Sequence, residues 1–302
     1  MNTIPQTRIG AVGAISHTAV AVLAMGAGLA IATWAVGLLG LAATPSEPFV
    51  SRVAAGGAVT LLVVGVIVLL CRLWDRAPLT SIGLTGIRTD ASGFLLGLVV
   101  VLCPAVLILG LLTAVGAADW REISPSSLAV FLMTNTVVAL LFEAIPEEIS
   151  IRGYALTALR RHFRNPAAIA LNIVAFLLVP LVAVNLEALL QNLAGSPNVA
   201  FTLAPGGEDA FFYYAMLTGF GWMLVAARDA TGAGTVWTCI GAHIAFLTVN
   251  RTVLGQAGGV DIQLGEIATL VFFAGYLVAA GITFSMLVSR RRKRAPERPA
   301  MP

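Results

Sequence analysis

Residues 93–118 read GFLLGLVVVLCPAVLILGLLTAVGAA, an uninterrupted run without one charged side chain. A helix of about 20 apolar residues crosses the hydrocarbon core of a bilayer, so this run is a transmembrane span by itself. Seven more runs, separated by polar or Pro/Gly-rich breaks, share its character. Together the eight cover 11–43, 53–71, 93–118, 127–159, 166–191, 209–227, 235–254 and 265–289. The whole chain agrees: 58% of the 302 residues are hydrophobic and only 11% charged, against about 25% charged in a soluble domain. The expected fold is all-α, a polytopic integral membrane protein with about eight transmembrane helices in a single transmembrane domain, 1–302. The first run is far longer than the 7–15-residue core of a signal peptide, and is therefore read as a helix.

Orientation follows from the asymmetry of Arg and Lys, which collect on the cytosolic side of short loops. With eight spans both termini lie on one side. That side holds Arg8, Arg72, Arg76, Arg88, Arg152, Arg160, Arg161, Arg164, Arg228 and the basic tail from Arg290 through Arg298, leaving Arg52, Arg121 and Arg251 outside. The expected location is a cell membrane, with both termini cytosolic. The tail 290–302 is read as a topology determinant and an anchor on anionic lipid, each basic residue near such a surface contributing about 1 kcal/mol. Nothing points to nucleic acid. Cys71, Cys103 and Cys239 lie in or beside apolar runs without CxxC spacing and read as small core residues.

Charges inside apolar spans are costly and mark functional candidates. The fourth run carries FEAIPEEISIRGYALTALRR, Phe142 to Arg161. Glu148 and Arg152 are four apart on one helix face, in the favoured acid-before-base order. Glu143 and Glu147 are four apart about 100° round the helix; repulsion between them favours holding a proton, which suits a general acid or base. Pro146 removes the hydrogen bond to the carbonyl of Phe142 and predicts a kink beside the acids. Charge placement alone leaves a structural Glu–Arg clamp equally open.

Glu147-Glu148-x-x-x-Arg152-Gly153 on an apolar helix resembles the EExxxRG motif of the CPBP family, the CAAX prenyl proteases and bacteriocin-processing enzymes. Two flanking features agree. RAPLTSIGL, Arg76 to Leu84, is similar to the family's segment before a Gly-started helix, and Thr231-Gly232-Ala233-Gly234 leads through Trp237 to His243. The likeness covers roughly residues 76–250. It implies an intramembrane endopeptidase in which Glu147 activates water, Glu148 and Arg152 brace the helix, and histidines of FxxxH and HxxxN motifs assist. This chain departs twice: Phe176 is followed at +4 by Pro180, and His243 at +4 by Leu247, with Asn250 at +7. Candidate site residues are thus Glu147, Glu148, Arg152 and His243, with Glu143 and Asn250 as auxiliaries. At 1.5 Å per residue, Glu147, Pro180 and His243 are expected in one layer of the membrane.

His162 sits among Arg160, Arg161 and Arg164 and reads as part of a solvated basic loop; His17 reads as a packed or interfacial residue. Asn185 and Glu187 read as weaker candidates, hydrogen-bonded between helices. No HExxH occurs, and Glu147 with His243 falls short of the usual three zinc ligands, so no cofactor is expected, while a divalent metal stays open. The expected partner is a membrane-embedded peptide or protein. Two further readings remain: a catalytically inactive relative that binds such peptides, and a small proton-linked transporter using Glu143, Glu147 and His243.

Overall fold

A computed structural model of the chain describes residues 10–38, 48–195, 199–205, 209–232, 234–254 and 259–294. Arg8, Ala233 and the tail beyond Arg294, all used in the sequence reading, lie outside the described residues. Among the described residues eight long helices form in chain order: α1 (Ala11–Leu38), α2 (Phe49–Leu69), α3 (Ile87–Ala114), α4 (Pro125–Arg160), α5 (Asn165–Leu193), α6 (Ala210–Ala230), α7 (Trp237–Val253) and α8 (Glu266–Arg294). All but α7 belong to seven segments long and apolar enough to cross a membrane, which makes the chain a polytopic membrane protein. The eighth expected span, 235–254, forms as α7 but is shorter at 17 residues, about 25 Å of helix.

A two-stranded antiparallel sheet, absent from the all-helical expectation, joins β1 (Ala118–Ile123) to β2 (Val260–Leu264), with Ala118 opposite Leu264. Its buried residues Ala118, Val260 and Ile262 pack with Leu109, Leu112 and Leu128.

The described residues fall into two units. The first draws on Met1–Leu84 and Met133–Gly221, the second on Thr85–Leu132 and Trp222–Pro302. In the first, α1 packs along α5 and α2, and the second half of α4 runs beside all three. Gly26 permits the approach of α1 to α5, since a Cβ there would stand 2.6 Å from Cγ1 of Val182. In the second unit, α3 packs along α7 and α8.

The α3–α7 contact has a simple sequence basis. Gly93 and Gly97 are spaced as GxxxG, which lets helix backbones touch in membranes. A Cβ on Gly97 would lie 2.6 Å from the amide nitrogen of Ala242, and one on Gly241 2.9 Å from the carbonyl carbon of Phe94. Backbone cannot yield as a side chain does. Gly97→Leu is therefore expected to lower stability by about 1–3 kcal/mol or more. Thermal unfolding in detergent, compared with Gly110→Leu where a Cβ meets open space, checks it.

The start of the same pair is tied by Asp90. Its carboxylate accepts from the Thr85 hydroxyl at 2.8 Å, the Gly86 amide at 2.9 Å and the Thr235 hydroxyl at 2.6 Å. One side chain thus closes the first turn of α3 and fixes the approach to α7.

Candidate active site

Proline cannot donate a helix hydrogen bond, and around Pro146 the winding of α4 is wide. Leu140–Ala144 and Glu148–Ala155 are π-helical, on either side of a short α segment, Ile145–Glu147. The expected kink is therefore drawn out over sixteen residues. Wide turns leave carbonyls in need of donors, which neighbouring helices supply. The Thr60 hydroxyl on α2 donates to the carbonyl of Leu141, and Gly56 lies against Leu141 and Phe142. On the other flank Asn172, fully buried on α5, donates to the carbonyl of Ile151 at 2.8 Å. π-helical turns inside α-helices occur frequently at functional sites.

The two motif glutamates have separate environments. Glu148 is 0% exposed, as is Arg152, with Nε and Oε2 3.6 Å apart. Beneath the guanidinium lies the ring of Phe176, its centroid 3.9 Å from Cζ. Such a cation–π contact strengthens as water is removed. Gly221 on α6 completes the slot, because a Cβ there would reach within 3.6 Å of Nη2 and 3.2 Å of the Phe176 ring. Arg152 was grouped in sequence with the cytosolic loop charges. It is instead sealed inside the protein and takes no part in the charge asymmetry of the loops. Glu147 and Glu143, by contrast, are half-buried.

Gly153 explains the last letter of the motif. A Cβ there would fall 2.9 Å from the carbonyl oxygen of Ile82. Only a residue without one lets the 3-10 turn Leu79–Ile82 and Gly83, in its left-handed conformation at φ 92°, lie against α4. Beside it, Thr157 donates to the carbonyl of Ser81 at 3.4 Å. The RAPLTSIGL segment thus has a position: it buttresses the EExxxRG helix.

His17 also braces this helix rather than standing as a lone ligand. Its ring nitrogens lie 2.6 Å from the Gly13 carbonyl and 2.8 Å from Asp75. The imidazole is flanked by Trp74 at 5.2 Å and by Tyr154, next after Gly153, at 5.8 Å. His162 is exposed, with its ring against Phe163 at 4.9 Å. Asn185 exchanges hydrogen bonds with the backbone of Thr202, and Gln191 donates to Glu187 at 3.1 Å.

In the second unit His243 lies on α7 with 2% of its surface exposed. One turn on stands Leu247; two turns on stands Asn250, also buried, whose Oδ1 accepts from the Tyr276 hydroxyl on α8 at 2.6 Å. Tyr276 packs with Phe272 and Phe246. Its hydroxyl occupies the carbonyl end of the Asn250 amide and leaves the NH₂ end as the donor available to another group.

Sequence reasoning missed Phe176, Asn172, Thr60 and Tyr276. Phe176 was noted only for the proline that follows it. Pro180 itself is half-buried within α5.

Residues 125–249 match the family model described as type II CAAX prenyl endopeptidase, Rce1-like, in agreement with the CPBP resemblance of the EExxxRG stretch. The match includes all of α4 and α5 and reaches through His243 to Val249. No curated protein and no solved structure matches the chain.

Proposed function

We propose, with the Rce1-like match over 125–249 as premise, that the protein is an intramembrane endopeptidase cutting membrane-associated peptides or proteins. The observation that supports it is the division of labour within Glu147-Glu148. Glu148 is sealed against Arg152 as a brace, while Glu147, next to it, keeps access. Glu147 is the general base. It takes a proton from water as the water oxygen attacks the scissile carbonyl carbon. The tetrahedral intermediate then collapses with cleavage of the C–N bond, and the same proton passes to the leaving amine. His243 and the NH₂ of Asn250 donate toward the oxyanion, a role in which a single well-placed donor is worth about 10²–10³ in rate. Chemistry is assigned to water and side chains without a tightly held metal.

One observation favours a second reading, an inactive relative that binds membrane peptides. Pro180 occupies the position where the family resemblance calls for a histidine, and a proline neither donates nor accepts through its side chain. The test is the purified protein in lipid nanodiscs with a library of membrane peptides, newly formed termini being read by mass spectrometry. New termini, reduced in His243→Ala and unchanged by chelator, support the protease. Peptides retained without new termini establish the second reading, and chelator inhibition reversed by Zn²⁺ overturns the metal-free assignment.

The proposed location is a cell membrane with both termini in the cytosol. Reporter fusions after Arg88, Arg164 and Arg294 should read cytosolic, and fusions at Pro48 and Pro205 exterior. An exterior signal at Arg294 would remove one crossing.

A further inference from the structure

His17 is enclosed in the first unit with 6% of its surface exposed, and the Asp75 side chain facing it is 8% exposed. Both ring nitrogens are engaged, Nδ1 with the Gly13 carbonyl at 2.6 Å and Nε2 with the Asp75 carboxylate at 2.8 Å. A carbonyl and an ionised carboxylate only accept, while a neutral imidazole has a single N–H. Both contacts are therefore hydrogen bonds only when the pair holds one proton more than a neutral imidazole and a carboxylate carry between them. The count is the same whether that proton sits on His17 or on Asp75. Without it, either tautomer of the ring leaves one contact as two facing lone pairs.

The backbone aims Asp75 at this place. The π-helical turn Leu70–Trp74 ends at Asp75, and next after it Arg76 takes a left-handed φ of 50°, which a side chain adopts at a cost. Cys71, 1% exposed, holds the corner by donating to the Ala77 carbonyl at 3.5 Å. The chain then enters the 3-10 turn Leu79–Ile82, which Gly153 and Thr157 seat against α4. Residues 70–84 are thus gripped twice, by His17 of α1 at Asp75 and by the motif helix at Ser81 and Ile82. Tyr154, within the π-helical stretch Glu148–Ala155, packs on the same imidazole. The other groups in electrostatic reach of this corner are Tyr154 and Arg161 from α4, and Cys71 and Arg72 from the turn itself. The helices α2 and α5 each carry one charged side chain, Arg52 and Glu187, toward their far ends.

We infer that His17 and Asp75 form a proton-dependent latch, which seats residues 70–84 on the motif helix while the proton is bound and loosens them when it leaves. The seat is tight at low pH and weakens as pH rises. Losing the proton removes one hydrogen bond of the buried pair and the charge that strengthened the other. The latch needs neither Glu147 nor His243, and works alike in a protease and in a non-cutting relative. It places a response to pH directly behind the EExxxRG stretch, through the segment that buttresses Gly153.

Asp75→Asn separates this device from ordinary packing. The amide can donate from its NH₂ to Nε2 of a neutral His17, whose Nδ1–H still donates to Gly13, so both bonds persist without the extra proton. The experiment is hydrogen exchange of the full chain in lipid nanodiscs, read by mass spectrometry with labelling times scaled to the intrinsic amide rate. It compares about pH 5 with about pH 8, between which histidine side chains ordinarily change charge. In the parent, amides of residues 70–84 are expected to exchange about tenfold faster at the higher pH, the effect of one hydrogen bond lost from a charged pair. Those of α3, in the second unit, should keep one rate. Asp75→Asn should show equal protection at both pH values. His17→Phe, which keeps a ring against Trp74 and Tyr154 but no nitrogen, should exchange fast at both. Equal protection of 70–84 at the two pH values in the parent would overturn the inference. So would a pH response that persists in Asp75→Asn, since the proton would then belong to another group of the corner.

Discussion

Glu147→Gln is expected to end cleavage while leaving the fold unchanged. The substitution conserves size and keeps a carbonyl oxygen able to accept a hydrogen bond, so the winding of α4 has no reason to alter. What disappears is the basic carboxylate. General-base catalysis contributes about 10²–10⁴-fold, and a chain with Pro180 in place of a second assisting group has little else to fall back on. Cleavage should therefore drop below detection while the melting temperature stays within error of the parent. Cutting at the parental rate by the variant would remove Glu147 from the mechanism. Equal inactivity of both proteins, with peptide still bound, would point to the non-cutting relative. Pro180→His is the complementary change and should raise a measurable rate, provided α5 keeps its course.

Arg152→Leu should produce the largest loss of stability of any single substitution in the first unit. Arg152 and Glu148 are both wholly enclosed. Removing one member of a buried ion pair typically costs about 3–5 kcal/mol, because the other charge stays behind uncompensated. The same principle predicts the rescue: Glu148→Leu/Arg152→Leu leaves no buried charge and should regain most of the loss. Arg152→Lys should fall between, since an ammonium keeps the charge but loses the planar face that rests on Phe176. Chemical unfolding of the four proteins in one detergent measures these differences. If the double variant proved as unstable as the single one, packing of the guanidinium plane rather than charge would be the dominant contribution.

The spans were legible because a bilayer imposes length and apolarity on each helix separately, so residues 93–118 declare themselves without reference to any other part of the chain. Glu148 and Arg152 were legible for a similar reason, as their four-residue spacing is local. Thr60 and Asn172 were not. Their roles depend on which carbonyls the widened α4 leaves without donors, and that depends on helices far away in sequence. The π-helical winding leaves no compositional trace beyond Pro146, which announces a disturbance but not its extent. The pairing of 118–123 with 260–264 was missed because each strand is short, with apolar and polar residues mixed, and neither has a turn partner nearby. The run 235–254 was legible to within two residues, as α7 forms over Trp237–Val253.

The wide winding of α4 has a further meaning as a matter of phase. A π-helical turn accommodates a surplus residue relative to regular α-helix, and each residue corresponds to about 100° of rotation. The surplus at Glu148–Ala155 therefore sets the azimuth of every side chain before it relative to Leu156–Arg160. Losing one residue from that stretch would return the helix to regular pitch and swing Glu147 by more than a quarter turn. The hydroxyl of Thr60 and the amide of Asn172 act as detents that hold the chosen angle.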